Sequence, residues 1–197
     1  MGVIKSKIMS LKYAILGFLS VSPLTGYDLK KAFDGSVRHF WPANQSQIYR
    51  TLAELDEQGL IDKKSIPREE RLDMKVYSVT EAGLEELHRW LSTPLPPQET
   101  REPFLVQIFF GGKLSDAELL KVLQHQLLQV EQQLAGYLAI HKMLREQPPG
   151  RQSDARAVFL RVATLEFGVF GDRAYMQWLQ GIIERVQAED YSLNELQ

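Results

Sequence analysis

The chain contains 197 residues, of which 44% are hydrophobic and 24% are charged, so it has enough apolar material for a core in one or two domains and is not intrinsically disordered. Its 23 basic and 25 acidic side chains leave a formal charge of −2, which excludes a polybasic tail. The absence of cysteine excludes disulfide scaffolds, thiolate metal sites and cysteine nucleophiles, and it fits a reducing cytoplasm.

The N-terminal quarter of the chain differs from the rest in charge. Residues 1–50 contain seven basic side chains and two acidic ones, whereas the remainder is acidic. The longest apolar stretch, residues 13–21, is much shorter than the roughly 20 residues that a membrane-spanning helix needs. We therefore expect no membrane association.

The first elements in chain order are two short helices. Apolar residues between positions 11 and 19 recur with helical spacing, and Ser22 and Pro23 end this first helix. Thr25 stands where a helix N-cap is expected, and the apolar spacing behind it predicts a second helix that ends near Gly35.

A third helix is predicted to begin after Asn44 and to stop at Gly59. Ile48, Leu52 and Leu55 lie on one face of it and are candidate core residues. The first two turns carry amides, hydroxyls and one guanidinium, which suit base edges and phosphate oxygens. The candidate contact residues on these turns are Asn44, Gln45, Ser46, Gln47, Tyr49 and Arg50. An ordinary solvated helix face is the alternative interpretation.

The later exposed positions of the third helix are acidic. Glu54, Asp56 and Glu57 would repel phosphate, so DNA contacts are expected from the first two turns alone. The same acidic residues motivate a second hypothesis, in which the domain has lost DNA binding and acts as a protein-interaction module.

Two short β-prone runs, residues 61–67 and 74–80, follow and are separated by a charged tip at 68–73. This predicts a hairpin, after which residues 81–91 resume helical spacing. Five basic groups on the hairpin could neutralise DNA phosphates: Lys63, Lys64, Arg68, Arg71 and Lys75. A solvated edge strand protected by lysine is the alternative.

Three helices, a hairpin and a further helix form the layout of a winged helix-turn-helix domain, here residues 9–92. A proline-rich break at 92–103 separates this domain from a helical region at 104–190, and a second break lies at 147–153. The fold class is therefore mainly α, with an N-terminal winged helix and an all-α C-terminal dimerisation domain.

The helical region contains a seam that repeats every 3.5 residues, which is typical of a helix packed along a partner helix. The seam consists of Leu120, Leu123, Leu127, Val130, Leu134, Tyr137, His141 and Leu144. We expect a second copy of the chain to cover it, although the last helix of the same chain is an alternative partner. That last helix, residues 154–187, is apolar on almost every face and is expected to be buried nearly all round.

An aromatic effector pocket is a further expectation for the last helix. Phe170, Tyr175 and Trp178 would stack on a planar ligand, and Arg173 would anchor an anion. Burial of these side chains in a dry dimer core is the alternative interpretation. The sequence contains no glycine-rich phosphate loop, no nucleophile elbow and only four scattered histidines, so we expect no cofactor, no metal site and no enzyme activity.

Five segments in one order carry a resemblance to a known family: 9–19, 25–29, 47–55, 59–61 and 77–83. Together they closely resemble the PadR family of bacterial transcriptional regulators. The resemblance implies a dimeric winged-helix protein, usually a repressor, with the third helix in the major groove and the hairpin as wing.

Carried over from that family, Ser46, Gln47, Tyr49 and Arg50 are the expected recognition residues, and Lys75 is the expected wing contact. The family also suggests phenolic acids or other small aromatic compounds as effectors. The resulting hypothesis is a cytoplasmic homodimer that binds a pseudo-palindromic operator in double-stranded DNA.

Overall fold

A computed structural model describes residues 2–38, 40–68, 71–97, 101–146 and 155–193. The chain divides into two compact units, Met1–Gln98 and Glu99–Gln197. The predicted fold class is confirmed, because a small antiparallel sheet lies among helices in the first unit and the described elements of the second are all helical. None of the described helices combines the length and hydropathy needed to cross a membrane.

The described elements of the first unit follow the predicted winged-helix order. They are α1 (Gly2–Leu19), β1 (Leu24–Thr25), α2 (Gly26–Gly35), α3 (Gln45–Glu57), β2 (Ile61–Arg68), β3 (Arg71–Val79) and α4 (Glu81–Leu91). The strands of the hairpin extend further towards the tip than predicted, because cross-strand hydrogen bonding continues through the charged residues to the Arg68–Arg71 pair. Residues 69 and 70 of the predicted tip lie outside the described residues.

The sheet contains a short strand that the sequence did not indicate. Strand order is β1-β3-β2, and β1 pairs with β3 through Leu24 opposite Tyr77 and Thr25 opposite Val76. Thr25 is also the N-cap of α2, as predicted, since its side chain accepts a hydrogen bond from the backbone N–H of Asp28 at 3.1 Å. The start of α2 is therefore held against the wing.

The end of α3 is joined to the start of α4 by a compact set of contacts. Gly59 has a φ of 67°, a left-handed conformation that glycine adopts without strain at a helix C-terminus. Thr80 donates a hydrogen bond to the Gly59 carbonyl at 2.8 Å and accepts one from the N–H of Gly83 at 3.1 Å. A side chain at Gly83 would meet the Leu60 carbonyl oxygen at 2.1 Å, so this position leaves room only for glycine.

The core of the first unit brings together all of its described helices and the base of the hairpin. Its fully buried side chains include Ile15, Leu16, Leu29, Phe33, Ile48, Leu52, Leu55 and Ile61. The three predicted core residues of α3 are confirmed. Their burial fixes the opposite face of α3 towards solvent.

The second unit consists of α5 (Pro103–Phe109), a 3₁₀ turn (Gly111–Lys113), α6 (Asp116–Glu146) and α7 (Ala155–Gln187). The second proline-rich break and Asp154, where the last helix was expected to begin, lie outside the described residues. Residues from α5, α6 and α7 form one apolar cluster, in which Phe104, Leu123, Val130, Leu179, Ile183 and Val186 are buried.

The predicted partner for the 3.5-residue seam was wrong. Leu123, Val130 and Tyr137 are buried within one chain, and the seam packs on α7 rather than requiring a second copy. A long antiparallel helix pair satisfies the same periodic stripe that a coiled-coil dimer would satisfy, so spacing alone could not separate the two.

The expected burial of α7 is also wrong for a single chain. Leu165, Leu179, Ile183 and Val186 are buried, but Phe159, Phe167 and Phe170 are 66%, 79% and 68% exposed. One neighbouring helix covers only one side of α7. Its other apolar side chains remain uncovered within the chain.

Candidate functional site

Two of the predicted contact residues hold the beginning of α3. The Asn44 side-chain oxygen accepts from the backbone N–H of Gln47 at 2.9 Å, and the Gln47 side-chain oxygen accepts from the backbone N–H of Asn44 at 2.9 Å. This capping box engages the two carbonyl oxygens. The amide NH₂ groups keep their hydrogens for an external acceptor such as a phosphate.

Ser46 and Arg50 are exposed and lie one helical turn apart, on the side of α3 opposite to buried Ile48 and Leu52. No described acidic side chain forms a salt bridge with Arg50. The guanidinium is therefore exposed to solvent, and its planar fork of donors suits a guanine edge or a phosphate.

Tyr49 combines an exposed position with a packing role. Its side chain is 42% exposed, and its ring lies so close to Gly26 that a Cβ atom there would stand 2.6 Å from it. Tyr49 thus links α3 to the first turn of α2, while part of its ring faces solvent.

The wing places its lysines on different faces of the hairpin. Lys63 lies opposite Tyr77 and Lys75 lies opposite Ser65, on one face, whereas Lys64 lies on the other. Lys63 donates to the Asp56 carboxylate on α3 at 2.5 Å, and this hydrogen bond raises the pKa of Lys63. Lys75 is exposed and forms no salt bridge with a described residue. The side chains of Arg68 and Arg71 lie outside the described part of the chain.

A polar cavity of about 410 Å³ brings two predicted contact residues together. It lies between the start of α2, α3 and β3, and both Tyr49 and Lys75 line it. Thr25, Tyr27, Asp28, Asp73 and Tyr77 complete most of its wall. Tyr27 lines the cavity because the pairing of β1 with β3 brings the first turn of α2 to the wing.

A second groove, of about 420 Å³, lies on the other side of the α3 N-terminus. Asn44, Gln45 and Gln47 line it together with Lys30 and Arg38 from α2 and the turn behind it. Lys30 is paired with Asp34, whereas Arg38 is exposed. The excess of basic residues before position 50 was the sequence signal for this groove.

The predicted effector residues are only partly brought together. Tyr175 and Trp178 stack with ring centroids 5.7 Å apart and line a cavity of about 290 Å³ with Glu102 and Leu105. Phe170 and Arg173 do not line it. In an α-helix, Arg173 points roughly 140° to 160° away from Trp178 and Tyr175, so the predicted cation–aromatic combination is not formed.

A buried polar group lies further along the pair of long helices. Asp172 on α7 accepts a hydrogen bond from the Gln133 side chain on α6 at 3.2 Å through Oδ1, while its buried Oδ2 has no hydrogen-bond partner among the described residues. Burial raises the pKa of Asp172. Next to it, the Tyr137 ring packs on Gly168, where a Cβ atom would stand 2.8 Å from the ring.

Comparison with known proteins identifies both parts of the chain. Residues 15–89 match the model of the transcriptional regulator PadR-like family, and residues 100–187 match a model described as virulence activator alpha C-term. The crystal structure of Bacillus subtilis PadR in complex with operator DNA is 30% identical, with a TM-score of 0.77, over 90% of this chain and 99% of that one. The chain belongs to the PadR-like family of transcriptional regulators.

Other similar proteins match the chain over both of its units. The Bacillus subtilis protein, described as a negative transcriptional regulator, is 29% identical over 91% of this chain and 98% of its own sequence. Its complex with p-coumaric acid has a TM-score of 0.72 over 91% of this chain and 97% of that one, at 30% identity. The Vibrio cholerae virulence activator AphA is 27% identical, with a TM-score of 0.71, over 91% of this chain and 99% of that one. Each of these proteins thus matches both units of this PadR-like chain.

Proposed function

We propose that this chain is a transcriptional repressor that binds a pseudo-palindromic operator as a homodimer. The observation that carries the proposal is the orientation of α3. Ile48 and Leu52 are buried on one side, which leaves Ser46 and Arg50 exposed on the other, in the N-terminal turns with which a recognition helix reads the major groove.

The surroundings of α3 support this role. Lys75 of the wing and Arg38 before α3 are exposed cations on either side of the helix start, where they can contact phosphates and fix the register of the domain on the duplex. The salt bridge to Lys63 offsets the negative charge of Asp56, one of the acidic residues that motivated the protein-interaction alternative. Binding of an operator and repression by relatives of this chain agree with the proposal.

Uncovered apolar surface supports the homodimer. Phe109 on α5 and Phe159, Phe167 and Phe170 on α7 are all more than half exposed within one chain. Surface of this kind marks an interface, and a second copy of the same unit is its proposed partner. Two winged helices would then read half-sites one helical turn apart, roughly 34 Å.

We further propose that a small aromatic effector binds the second unit at Tyr175 and Trp178. The complex of the Bacillus subtilis relative with p-coumaric acid supports ligand control in this family. Control requires only that the effector bind one dimer geometry better than the other, and a tenfold loss of operator affinity needs a coupling of about 1.4 kcal/mol.

The protein would act in the cytoplasm by binding DNA and would catalyse no reaction.

Capture of genomic DNA tests the proposal. Sheared DNA from the source genome is passed over immobilised full-length protein at moderate salt, and the retained fragments are sequenced. We expect a small set of fragments with an inverted repeat whose half-site centres lie one helical turn apart. Retention of no fragment above the level kept by Arg50→Ala would instead favour the protein-interaction alternative.

A further inference from the structure

The cavity beside Tyr175 and Trp178 in the second unit has walls whose chemistry points to a class of ligand. Its walls are Glu102, Leu105, Tyr175 and Trp178, with a volume of about 290 Å³. This is close to the lower end of the range for small-molecule sites, roughly 300–1,000 Å³. We propose that this cavity binds a small planar aromatic compound that carries a positive charge, and the inference rests on the effector role proposed above.

The flat shape of the ligand follows from the aromatic side chains. Tyr175 and Trp178 stack at an interplanar angle of 24°. Phe104 contacts both edge-on, with centroid distances of 6.2 Å and 6.3 Å. Phe104 is buried, so it fixes the two outer rings in place, while Trp178 remains 39% exposed. A fixed, partly exposed indole offers a face for a flat ring to stack on.

The sign of the charge follows from Glu102. It is exposed, its side chain does not cap α5, and among the described residues that line the cavity it is the charged one. The faces of tyrosine and tryptophan carry negative electrostatic potential, which attracts cations and disfavours anions. A carboxylate beside two such rings is therefore complementary to an organic cation.

The electrostatic influence of Glu102 reaches the aromatic wall. Burial raises the pKa of the Tyr175 hydroxyl, and the nearby Glu102 carboxylate raises it further. Arg101 lines a wider groove of about 670 Å³ that shares Glu102 and Leu105 with the cavity, but it does not line the cavity itself. The site thus differs from the anion pocket expected from Arg173, because that side chain is on another face of α7.

Calorimetric titration of the DNA-free, full-length protein tests the charge preference. The probes are 1-methylquinolinium, a flat cation, and naphthalene-2-carboxylate, an anion of similar size. We expect the cation to bind at least tenfold more tightly than the anion. Equal or tighter binding of the anion, or no measurable binding of the cation, would overturn the proposal.

Variants assign the binding to this cavity. Glu102→Gln is expected to weaken cation binding about two- to fivefold, the effect of losing an exposed ion pair, and Glu102→Lys is expected to abolish the preference for the cation. Trp178→Leu should weaken it at least tenfold. Because Glu102 is exposed, its two variants test the proposal even if Trp178→Leu fails to fold.

A matched control uses an exposed carboxylate of α7 outside the cavity. Glu166→Gln removes the same charge as Glu102→Gln. We expect this variant to bind the cation with wild-type affinity. A Glu102→Gln variant that binds the cation like wild type, or a Glu166→Gln variant that loses as much affinity, would contradict the assignment.

The outcome is independent of DNA binding. Calorimetry is carried out without DNA, so a protein that retains no operator can still show the cation preference. Conversely, a protein that binds its operator but prefers the anion would uphold the regulator and refute the cationic site. Release of operator DNA by 1-methylquinolinium from wild type but not from Glu102→Lys would show that cation binding at the cavity controls operator binding.

Discussion

Lys63 on the wing and Asp56 on α3 form an ion pair at 2.5 Å, which ties the hairpin to the acidic half of the proposed recognition helix. The pair has two consequences for a DNA-binding surface. It neutralises one carboxylate that would otherwise repel phosphate, and it withdraws one lysine from phosphate contact. The wing is therefore less basic than its sequence suggests.

Asp56→Asn is expected to strengthen DNA binding and to make it more sensitive to salt. The substitution frees Lys63 for a phosphate, so the slope of log affinity against log salt should become steeper by about one. Glu57→Gln is the control, since it removes a neighbouring exposed carboxylate without releasing a lysine. Fluorescence anisotropy at several salt concentrations measures both, and an unchanged slope for Asp56→Asn would show that Lys63 stays away from the DNA.

Arg50→Ala should reduce affinity for the operator by about 1–3 kcal/mol if the guanidinium reads a guanine edge. In that case discrimination at one base pair of each half-site should also be lost. If Arg50 contacts only phosphate, affinity should fall equally for all sequences. Arg161→Ala, which removes an exposed arginine from α7, is the matched control and should bind like wild type. Wild-type binding by Arg50→Ala would refute the assignment of α3.

Lys75→Ala is expected to weaken binding on every sequence alike, because a wing lysine contacts the backbone rather than a base. The salt slope should become shallower by about one. Lys121→Ala, an exposed lysine on α6, serves as control and should leave the slope unchanged. A loss of affinity confined to the operator would mean that Lys75 reads bases instead.

The first unit was largely predictable because its signals are local. The spacing of Ile48, Leu52 and Leu55 defines the buried side of α3, and Thr25 is recognisable as an N-cap from its neighbours. Strand β1 could not be predicted, since two residues carry no periodicity and Leu24 becomes a strand residue only by pairing with Tyr77. The Lys63–Asp56 pair likewise depends on how the hairpin folds back on α3.

The second unit was predictable in its helices but not in what they face. Leu123 and Val130 have the spacing of a dimer seam, yet α7 of the same chain covers them. Two of the four residues that line the cavity, Glu102 and Leu105, were not predicted. Glu102 lies far in sequence from Tyr175 and comes close to it only through the packing of α5. Arg173 was included because of its nearness in sequence, although helix geometry turns it away.

Gly83→Ala should destabilise the first unit by about 1–3 kcal/mol or more, because the new methyl group would press on the rigid Leu60 carbonyl. Gly17→Ala is the control. Apart from its chain neighbours and its own helix backbone, no described atom lies within 4 Å of a Cβ atom placed there. The helix-favouring alanine should therefore raise stability by about 0.4–1 kcal/mol. Urea denaturation measures both, and equal effects would contradict the close contact between α4 and the hairpin.

Asp172→Asn is expected to stabilise the second unit at neutral pH. The folded state raises the pKa of Asp172, so the wild-type carboxyl is best accommodated when protonated. The contribution of Asp172 to stability should thus be most favourable below the ordinary aspartate pKa of about 3.9, and it should be lost as the pH rises through the higher folded-state value. Thermal melting between about pH 3 and pH 7 should show a gap between variant and wild type that widens with pH. A gap that narrows as the pH rises would show that folding lowers the pKa of Asp172 instead of raising it.

The chain should sediment as a dimer at micromolar concentration, because the exposed phenylalanines of α7 need a cover. Phe167→Glu should shift the protein towards monomer if that surface is the interface. Leu193→Glu, at an almost fully exposed position after α7, is the control and should remain dimeric. A wild-type protein that stays monomeric as its concentration is raised would contradict the proposal that a dimer binds a two-fold symmetric operator.

The most direct test of the proposed function is the ratio of affinities for the captured operator fragment and for a scrambled duplex of equal length, measured at one moderate salt concentration. For wild type we expect a ratio of at least about 10³, the lower end for sequence-specific regulators. Ser46→Ala combined with Arg50→Ala should bring it close to one, while binding to the scrambled duplex changes little. A wild-type ratio near one, or a ratio unaffected by the two substitutions, would contradict sequence reading by α3.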